Sequence, residues 1–217
     1  MLTVKDLGLV PYREAWELQK SIQADVITDK NREDTEEHLL LVEHPPVFTL
    51  GRHGHAENML VSEDALAAKG IEFVRIERGG DITFHGPGQL VAYPIIDLQR
   101  HHLGVKDYVN LLEEAVIRTI AHYGITGERV EGATGVWIDK GLPGERKICA
   151  IGVKCTRFVT MHGLALNINT DLHYFGAINP CGFIDKGVTS VRQETGKEAD
   201  MQEAKELFAA HFRELLK

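Results

Sequence analysis

The chain has 217 residues, a length that suits one α/β domain able to bury a large core without disulfides or metals. Charged residues make up 26% and hydrophobic residues 43% of the chain, which is a globular composition and not a disordered one. The formal charge of −8, with no basic stripe, argues against nucleic acid as a partner.

The sequence also lacks the usual marks of export or membrane insertion. No apolar run reaches the length of a membrane span, and the first eight residues carry Lys5 and Asp6 where a signal peptide needs an apolar core. An odd number of cysteines in such a chain indicates free thiols in a reducing compartment. The three cysteines are Cys149, Cys155 and Cys181. We therefore expect a cytoplasmic protein that is not bound to a membrane.

The first third of the chain predicts helices and short strands. A helix is expected from Pro11 to about Thr28, because apolar residues recur at helical spacing after a proline that suits a first turn. Leu39–Val42 and Val47–Leu50 predict two short strands, or one strand broken by the prolines between them. Ser62 is expected to cap a short helix that ends near Lys69.

A glycine-rich stretch, Arg78 to Gln89, lies between an alternating run and a nearly continuous apolar run and holds four of the 21 glycines. It is either a simple turn between two strands or a wall of exposed backbone amides that faces a ligand. The polar residues Arg78, Thr83, His85 and Gln89 favour the ligand wall. The stretch matches neither a P-loop nor a dinucleotide fingerprint, so we predict a ligand site that does not bind nucleotides.

A metal site is not favoured. His53 and His55 form a His-x-His pair, and His44 and His85 are near in sequence. A third ligand is missing from the pattern, and no pair of cysteines has zinc spacing. We expect these histidines to be solvated or hydrogen-bonded.

The remainder of the chain predicts one helix, a run of strands and a final helix. Leu90–Asp97 is an expected strand in which Pro94 implies a sheet edge or a bulge. Asp107–Tyr123 has the clearest helical periodicity, and Asp200 begins a capping-box pattern before a helix over Met201 to about Leu216. Further strands are expected at Gly135–Asp139, Arg146–Thr156 and Phe158–Ile168, with a hairpin over Lys140–Glu145 between the first two.

These elements together predict an α+β fold. Helices are expected to pack on a central mixed, mainly antiparallel sheet, and residues 1–217 are expected to form a single domain.

Cys181 is the favoured reactive thiol. It lies in Asn179-Pro-Cys-Gly182, a turn sequence that exposes its side chain, whereas Cys149 and Cys155 share one face of an apolar strand and are expected to be buried. A thiol of ordinary pKa needs a nearby cation or base to become a nucleophile. A histidine or Lys147 fits that role. For Lys147, a solvated lysine at a strand end is the plain alternative.

Four sequence blocks resemble one known family. They are Arg-Gly-Gly-x-x-Thr-x-His-Gly-Pro-Gly-Gln at 78–89, Lys-Ile-x-Ala-Ile-Gly at 147–152, His-Gly-Leu-Ala followed by Leu-Asn-Ile-Asn at 162–169, and Asn-Pro-Cys-Gly at 179–182. In this order they resemble the lipoyl(octanoyl) transferases, and the resemblance runs from about Leu39 to Val191.

The resemblance implies a fold like that of the biotin and lipoate protein ligases. It implies transfer of an octanoyl group from octanoyl-acyl carrier protein to a lysine of a lipoyl domain, the first step of protein lipoylation. The implied acceptors are the lipoyl domains of 2-oxo acid dehydrogenase complexes and the glycine-cleavage H protein. No cofactor, ATP or metal is implied, and we expect a monomer.

Matched block by block, the resemblance makes Cys181 the acyl-thioester nucleophile and Lys147 its base. The identities of Asp81 and Ile82 fall at loose positions of the pattern and carry no assigned role. The residues that it places around the acyl group are Arg78, Gly79, Gly80, Asp81, Ile82, Thr83, Phe84, His85, Ala150, Ile151, Gly152, Gly163, Leu164 and Ala165.

Two other functions stay open on sequence grounds. An ATP-dependent lipoate or biotin protein ligase of the same fold would use Lys147 but would not depend on Cys181. A non-catalytic acyl-binding or regulatory domain would need neither residue for chemistry.

Overall fold

A computed structural model describes residues 2–30, 32, 34–52, 54–179 and 187–217. Its strands are β1 (Leu2–Leu9), β2 (Glu37–Glu43), β3 (Val47–Leu50), β4 (Glu72–Arg75), β5 (Ile82–His85), β6 (Gln89–Ile95), β7 (Glu128–Val130), β8 (Ala133–Ile138), β9 (Arg146–Thr156), β10 (Val159–Asn167) and β11 (Gly187–Val188). Its α-helices are α1 (Tyr12–Asp29), α2 (Glu63–Ala67), α3 (Val105–Ala121), α4 (Val191–Thr195) and α5 (Met201–Leu215). Two 3-10 helices cover Ala56–Asn58 and Leu172–Ala177.

The strands form two sheets. The larger has eight strands in the order β1-β2-β6-β10-β9-β8-β7, with β11 paired to β9, and the smaller has the order β4-β3-β5. Parallel pairing joins β1 to β2, β3 to β4 and β9 to β11, and the other neighbours are antiparallel. The predicted α+β fold with a mixed, mainly antiparallel sheet is confirmed.

Helices cover both faces of the larger sheet. On one face α3 and α5 bury a core that includes Tyr108, Leu112 and Phe208, and on the other α1 buries Ala15 and Val26 against β2 and β6. A separate apolar cluster fills the smaller sheet. Among the described residues, no helix combines the length and the apolar character needed to cross a membrane.

The helix signals of the sequence are confirmed. Ser62 Oγ accepts from the backbone amide of Ala65 at 3.2 Å, and α2 follows it directly. Asp200 Oδ1 accepts from the amide of Gln202 at 2.7 Å and so begins α5. These caps depend on residues three or fewer positions apart, which is why the sequence specifies them.

Pro94 was predicted to mark a sheet edge or a bulge, and the sheet edge was wrong. Strand β6 runs between β2 and β10, so Pro94 is inside the sheet. The β6–β10 ladder ends at Ala92, and Thr160 replaces the missing pairing by donating to the Pro94 carbonyl at 2.8 Å and accepting from the Ile96 amide at 3.0 Å. A neighbouring hydroxyl thus satisfies backbone groups beside a residue that has no N–H.

The glycine-rich stretch is not one continuous loop. Residues Ile82–His85 form β5, which pairs antiparallel with β3. Ile82 and Phe84 point into the apolar cluster of the smaller sheet, because alternate side chains of a strand share a face. The two short strands predicted around the prolines are separate, since β2 and β3 belong to different sheets.

Candidate active site

A cavity of about 510 Å³ lies between the α1-covered face of the larger sheet and the smaller sheet. This volume is in the usual range for small-molecule sites. Most of the fold contributes to the lining, which comes from α1, α3, β5, β6, β8, β9, β10, β11 and the 3-10 helix Leu172–Ala177.

One wall of the cavity is the turn between β4 and β5. The guanidinium of Arg78 is buried and donates from Nη2 to the carbonyls of Thr49 at 2.9 Å and Asp81 at 2.7 Å, and from Nη1 to the Gly79 carbonyl at 3.0 Å. The Gly79 amide donates to the carbonyl of Val153 at 3.1 Å. Arg78 therefore fixes the shape of this turn, and Gly79 fastens it to β9.

The opposite wall is made of backbone with little side chain. A Cβ added at Gly152 would lie 2.7 Å from the Gly79 carbonyl oxygen, and one at Gly163 would collide with the carbonyl oxygen of Ala92. Only glycine leaves room for this close approach of strand and turn. This side of the cavity is consequently lined by backbone and small apolar groups.

Substituting Gly163→Ala is expected to destabilise the protein by about 2 kcal/mol, because a methyl group forced against backbone overpacks the sheet. Urea unfolding followed by circular dichroism measures this difference. Gly176→Ala is the matched control, since a Cβ at Gly176 meets nothing within 4 Å. A change of less than about 0.5 kcal/mol for both variants would contradict the tight wall.

A β-bulge in β9 turns Lys147 toward the cavity. Val136 of β8 is opposite Cys149, but the next residue, Trp137, is opposite Lys147, so Ile148 is an extra residue on β9. Ile148 and Cys149 both face the core under α3 and α5. Strict alternation would have placed Lys147 on that core face as well; the bulge places it on the cavity side.

The ammonium of Lys147 has defined neighbours. Its Nζ donates to the Thr134 carbonyl at 3.1 Å and lies 4.5 Å from the centroid of the Trp137 ring. The Thr189 amide donates to the Lys147 carbonyl at 3.0 Å, and Val188 is its partner on β11. A lysine held over an aromatic ring at a cavity wall differs from a solvated lysine at a strand end.

Most of the residues expected around the acyl group come together in this cavity. Cys181, the expected nucleophile, and His53 lie outside the described residues. Within the described part of the chain, no group of three or more metal-ligating side chains is found. The expected residues that line the cavity are Arg78, Gly79, Gly80, Asp81, Ile82, Thr83, His85, Lys147, Ala150, Ile151, Gly152, Gly163, Leu164 and Ala165.

Phe84 is the exception. Its ring packs against Phe48, Tyr174 and Phe175, with ring centroids 5.2, 4.4 and 5.7 Å away. Because Phe84 alternates with Thr83 and His85 along β5, its side chain points away from the cavity. Phe84 therefore belongs to the apolar cluster of the smaller sheet and is not among the residues that line the cavity.

Four aromatic residues of the lining were not predicted from the sequence: Tyr12, Tyr93, Trp137 and Phe175. Tyr12 begins α1, far from the sequence blocks, and stacks on the His85 ring with a centroid separation of 5.8 Å. Tyr93 looked like an ordinary apolar strand residue. No local signal marks these residues, because only the packing of α1 and β8 on the sheet brings them to the cavity.

The histidines at the cavity are neutral. Burial lowers the pKa of His44 to about 4, and burial also lowers the pKa values of His85 and His162 to about 3. Burial raises the pKa of the Cys149 thiol far above its ordinary value, which makes this cysteine an inert core residue, as predicted. The imidazoles of His85 and His162 therefore add no positive charge to the cavity.

The fold of this chain resembles that of solved lipoate protein ligases. A bipartite lipoate protein ligase from Thermoplasma acidophilum, solved in a study of that ligase and its E2 lipoyl domain, superposes with a TM-score of 0.69. The match covers 99% of this chain and 84% of that one at 19% identity. The fold is thus that of the lipoate protein ligases.

Sequence comparison then gives the family. Residues 11–213 match the lipoyl protein ligase A/B catalytic domain. The octanoyltransferases of Bacteroides thetaiotaomicron and Bacteroides fragilis are 54% and 55% identical over 212 residues, covering 97% of this chain and 93% and 95% of theirs. The chain belongs to the octanoyltransferase family.

Proposed function

We propose that this protein transfers an octanoyl group from octanoyl-acyl carrier protein to a lysine of lipoyl domains, through a thioester on Cys181. The observation that carries the proposal is the placement of Lys147 by the β9 bulge at the wall of a narrow, backbone-lined cavity. The identity of the nucleophile comes from the Asn-Pro-Cys-Gly block.

The cavity suits a medium-length alkyl chain. Val91, Ala150, Leu164 and Ala165 supply apolar surface along its length. Each methylene buried there contributes about 0.8 kcal/mol, which favours a chain that fills the cavity over a shorter one.

The first half-reaction loads the enzyme. The Cys181 thiolate attacks the carbonyl carbon of the octanoyl thioester, and amides of the glycine-rich walls stabilise the oxyanion. The bond to the phosphopantetheine sulfur breaks, and that thiolate takes a proton from the Lys147 ammonium. The products are an octanoyl thioester on Cys181, a free carrier thiol and a neutral Lys147.

The second half-reaction transfers the octanoyl group from Cys181 to the lipoyl domain. The lysine of the lipoyl domain arrives as an ammonium and returns one proton to Lys147. Its neutral amine then bonds to the thioester carbonyl carbon, and Cys181 leaves as a thiolate beside the Lys147 ammonium. The nitrogen loses its second proton, which is released to solvent, and becomes the amide. The thioester supplies the free energy for amide formation, so the proposal involves neither ATP nor a metal.

The proposed acceptors are lipoyl domains of 2-oxo acid dehydrogenase complexes and the glycine-cleavage H protein. The chain is proposed to act as one catalytic domain, in the reducing cytoplasm where a free thiol persists.

Intact-mass measurement after incubation with octanoyl-acyl carrier protein tests the proposal. Without ATP, the protein is expected to gain the mass of one octanoyl group, and peptide mapping is expected to place it on Cys181. Hydroxylamine at neutral pH is expected to remove the group, because it cleaves thioesters.

Other outcomes identify the alternatives. A protein that stays unmodified with the carrier thioester but activates free octanoate with ATP is a ligase. A protein that retains octanoate without any covalent adduct is a binding domain.

A further inference from the structure

A chain of hydrogen bonds leads from the cavity to β11. His85 Nδ1 is 2.8 Å from Gln89 Oε1, and Gln89 Nε2 is 2.9 Å from Asn167 Oδ1. Asn167 Nδ2 is 3.0 Å from the carbonyl oxygen of Thr189. The side chains of Gln89 and Asn167 are almost fully buried, so these hydrogen bonds do not compete with water.

The backbone carbonyls of Phe84 and Thr189 fix the donor-to-acceptor direction of this series of hydrogen bonds. Gln89 Nε2 also donates to the Phe84 carbonyl at 3.1 Å, and a carbonyl oxygen only accepts. Both side-chain amides must therefore point their NH₂ groups away from His85. Gln89 Oε1 accepts from His85 Nδ1, which leaves Nε2 of the neutral ring with a lone pair.

The same series of hydrogen bonds connects His85 with the segment after β11 that bonds to Lys147. Asn167 follows the apolar part of β10, and Thr189 comes directly after Val188, the β11 partner of Lys147. The Thr189 amide bonds to the Lys147 carbonyl at 3.0 Å. Both His85 and Lys147 line the one cavity described above.

The surroundings of His85 keep its ring unprotonated between turnovers. Burial lowers its pKa to about 3, the hydrogen bond to Gln89 opposes this shift, and the charge of Arg78 adds to it. His44 supplies no proton, because its Nδ1 bonds the Val10 carbonyl at 2.7 Å and its Nε2 accepts from the Tyr93 hydroxyl at 2.8 Å. Tyr12 covers the His85 ring by stacking.

The second half-reaction releases two protons, and Lys147 can accept only one of them. The acceptor lysine enters with three N–H bonds and leaves as an amide with one. Lys147 takes one of the two protons that the nitrogen loses. Cys181 leaves as a thiolate and takes no proton, because the enzyme returns to its resting thiolate–ammonium pair. One proton is left on the nitrogen of the tetrahedral adduct.

We propose that His85 Nε2 accepts this second proton and passes it to solvent, and that Gln89 and Asn167 are positioning residues that hold its tautomer. This inference rests on the proposed function. The nitrogen loses a proton to Nε2 while the bond from carbon to the Cys181 sulfur breaks.

Octanoyl transfer to two different acyl acceptors distinguishes proton transfer by His85 from a purely structural role of His85. Octanoyl-enzyme is isolated and mixed either with a lipoyl domain or with the small thiol N-acetylcysteamine. A thiolate attacks the thioester with no second proton to lose, whereas an amine must lose one. In His85→Ala the ratio of amine transfer to thiol transfer is expected to fall by about 100-fold or more, and added imidazole is expected to restore it.

Two further variants complete the test. In Gln89→Met the same ratio is expected to fall by about tenfold, and nitrogen-15 spectra of histidine-labelled protein are expected to show loss of the fixed Nδ1–H tautomer. His122→Ala, on the half-exposed surface where α3 meets α5, is the control and is expected to leave the ratio unchanged.

Equal slowing of both acceptors in His85→Ala, or no slowing of either, would overturn the inference alone. A wild-type protein that forms no octanoyl thioester would overturn the proposed function, and this inference with it.

Discussion

Cys181→Ser is expected to reduce octanoyl transfer by at least about 10³-fold, the kind of loss that removal of a covalent nucleophile produces. A serine hydroxyl has the size of the thiol but ionises far less readily, and an adjacent ammonium is not enough to make it attack a thioester. Transfer of radiolabelled octanoyl from carrier protein to a lipoyl domain measures the rate. Intact mass on the same sample checks for an adduct on the variant.

Cys155→Ser is the matched control for this prediction. Cys155 is half-buried in β9, is not part of the cavity lining, and lies on the same strand as Lys147. The variant is expected to transfer octanoyl at the wild-type rate. If Cys181→Ser kept its activity while forming no adduct, the thioester route would be wrong and a ligase or binding function would replace it.

The local features of the fold follow from the sequence with little loss. Helix α3 begins at Val105, two residues before the predicted start, and β9 has the predicted bounds. Caps, turns and side-chain periodicity involve residues a few positions apart, so their physics is visible in a short window of sequence.

The pairing of distant segments is what the sequence leaves open. Pro94 was expected at an edge or a bulge because a proline cannot donate to a ladder, but Thr160, sixty-six positions away, supplies the compensating hydroxyl. Strand β1 was not predicted, since its stability comes from parallel pairing with β2 and from packing of Leu2 and Val4 on the core. Neither partner is identifiable without the fold.

In the candidate site, too, some features follow from the local sequence and others depend on the fold. The glycine-rich and Lys-Ile-x-Ala-Ile-Gly blocks marked the walls, because backbone-lined cavities need glycine in fixed places. The inward turn of Lys147 depends on one extra residue in β9, Ile148, which strand alternation alone does not reveal. Phe84 is outside the cavity lining for a related reason, because the blocks identify neighbours in sequence and do not identify faces of a strand.

Lys147→Met is expected to lower turnover by about 10²-fold or more and to make Cys181 less nucleophilic. Methionine keeps the unbranched length of the side chain beside Trp137 and removes the charge. Without the cation, the apparent pKa for alkylation of Cys181 should rise by about one unit or more, so that iodoacetamide reacts about tenfold more slowly at pH 7. Alkylation rates across pH 5–10, with product located by peptide mapping, measure the shift.

Lys147→Arg separates the two roles assigned to this lysine. A guanidinium retains the positive charge that favours the thiolate but does not give up a proton near neutral pH. Alkylation of Cys181 in this variant is therefore expected to stay closer to wild type than in Lys147→Met, while octanoyl transfer stays low. An alkylation profile unaffected by Lys147→Met would remove Lys147 from the surroundings of the thiol, and full turnover in Lys147→Arg would show that its proton is not transferred. The bulge at Ile148 would then orient a structural lysine, and the cavity would need another base for both half-reactions.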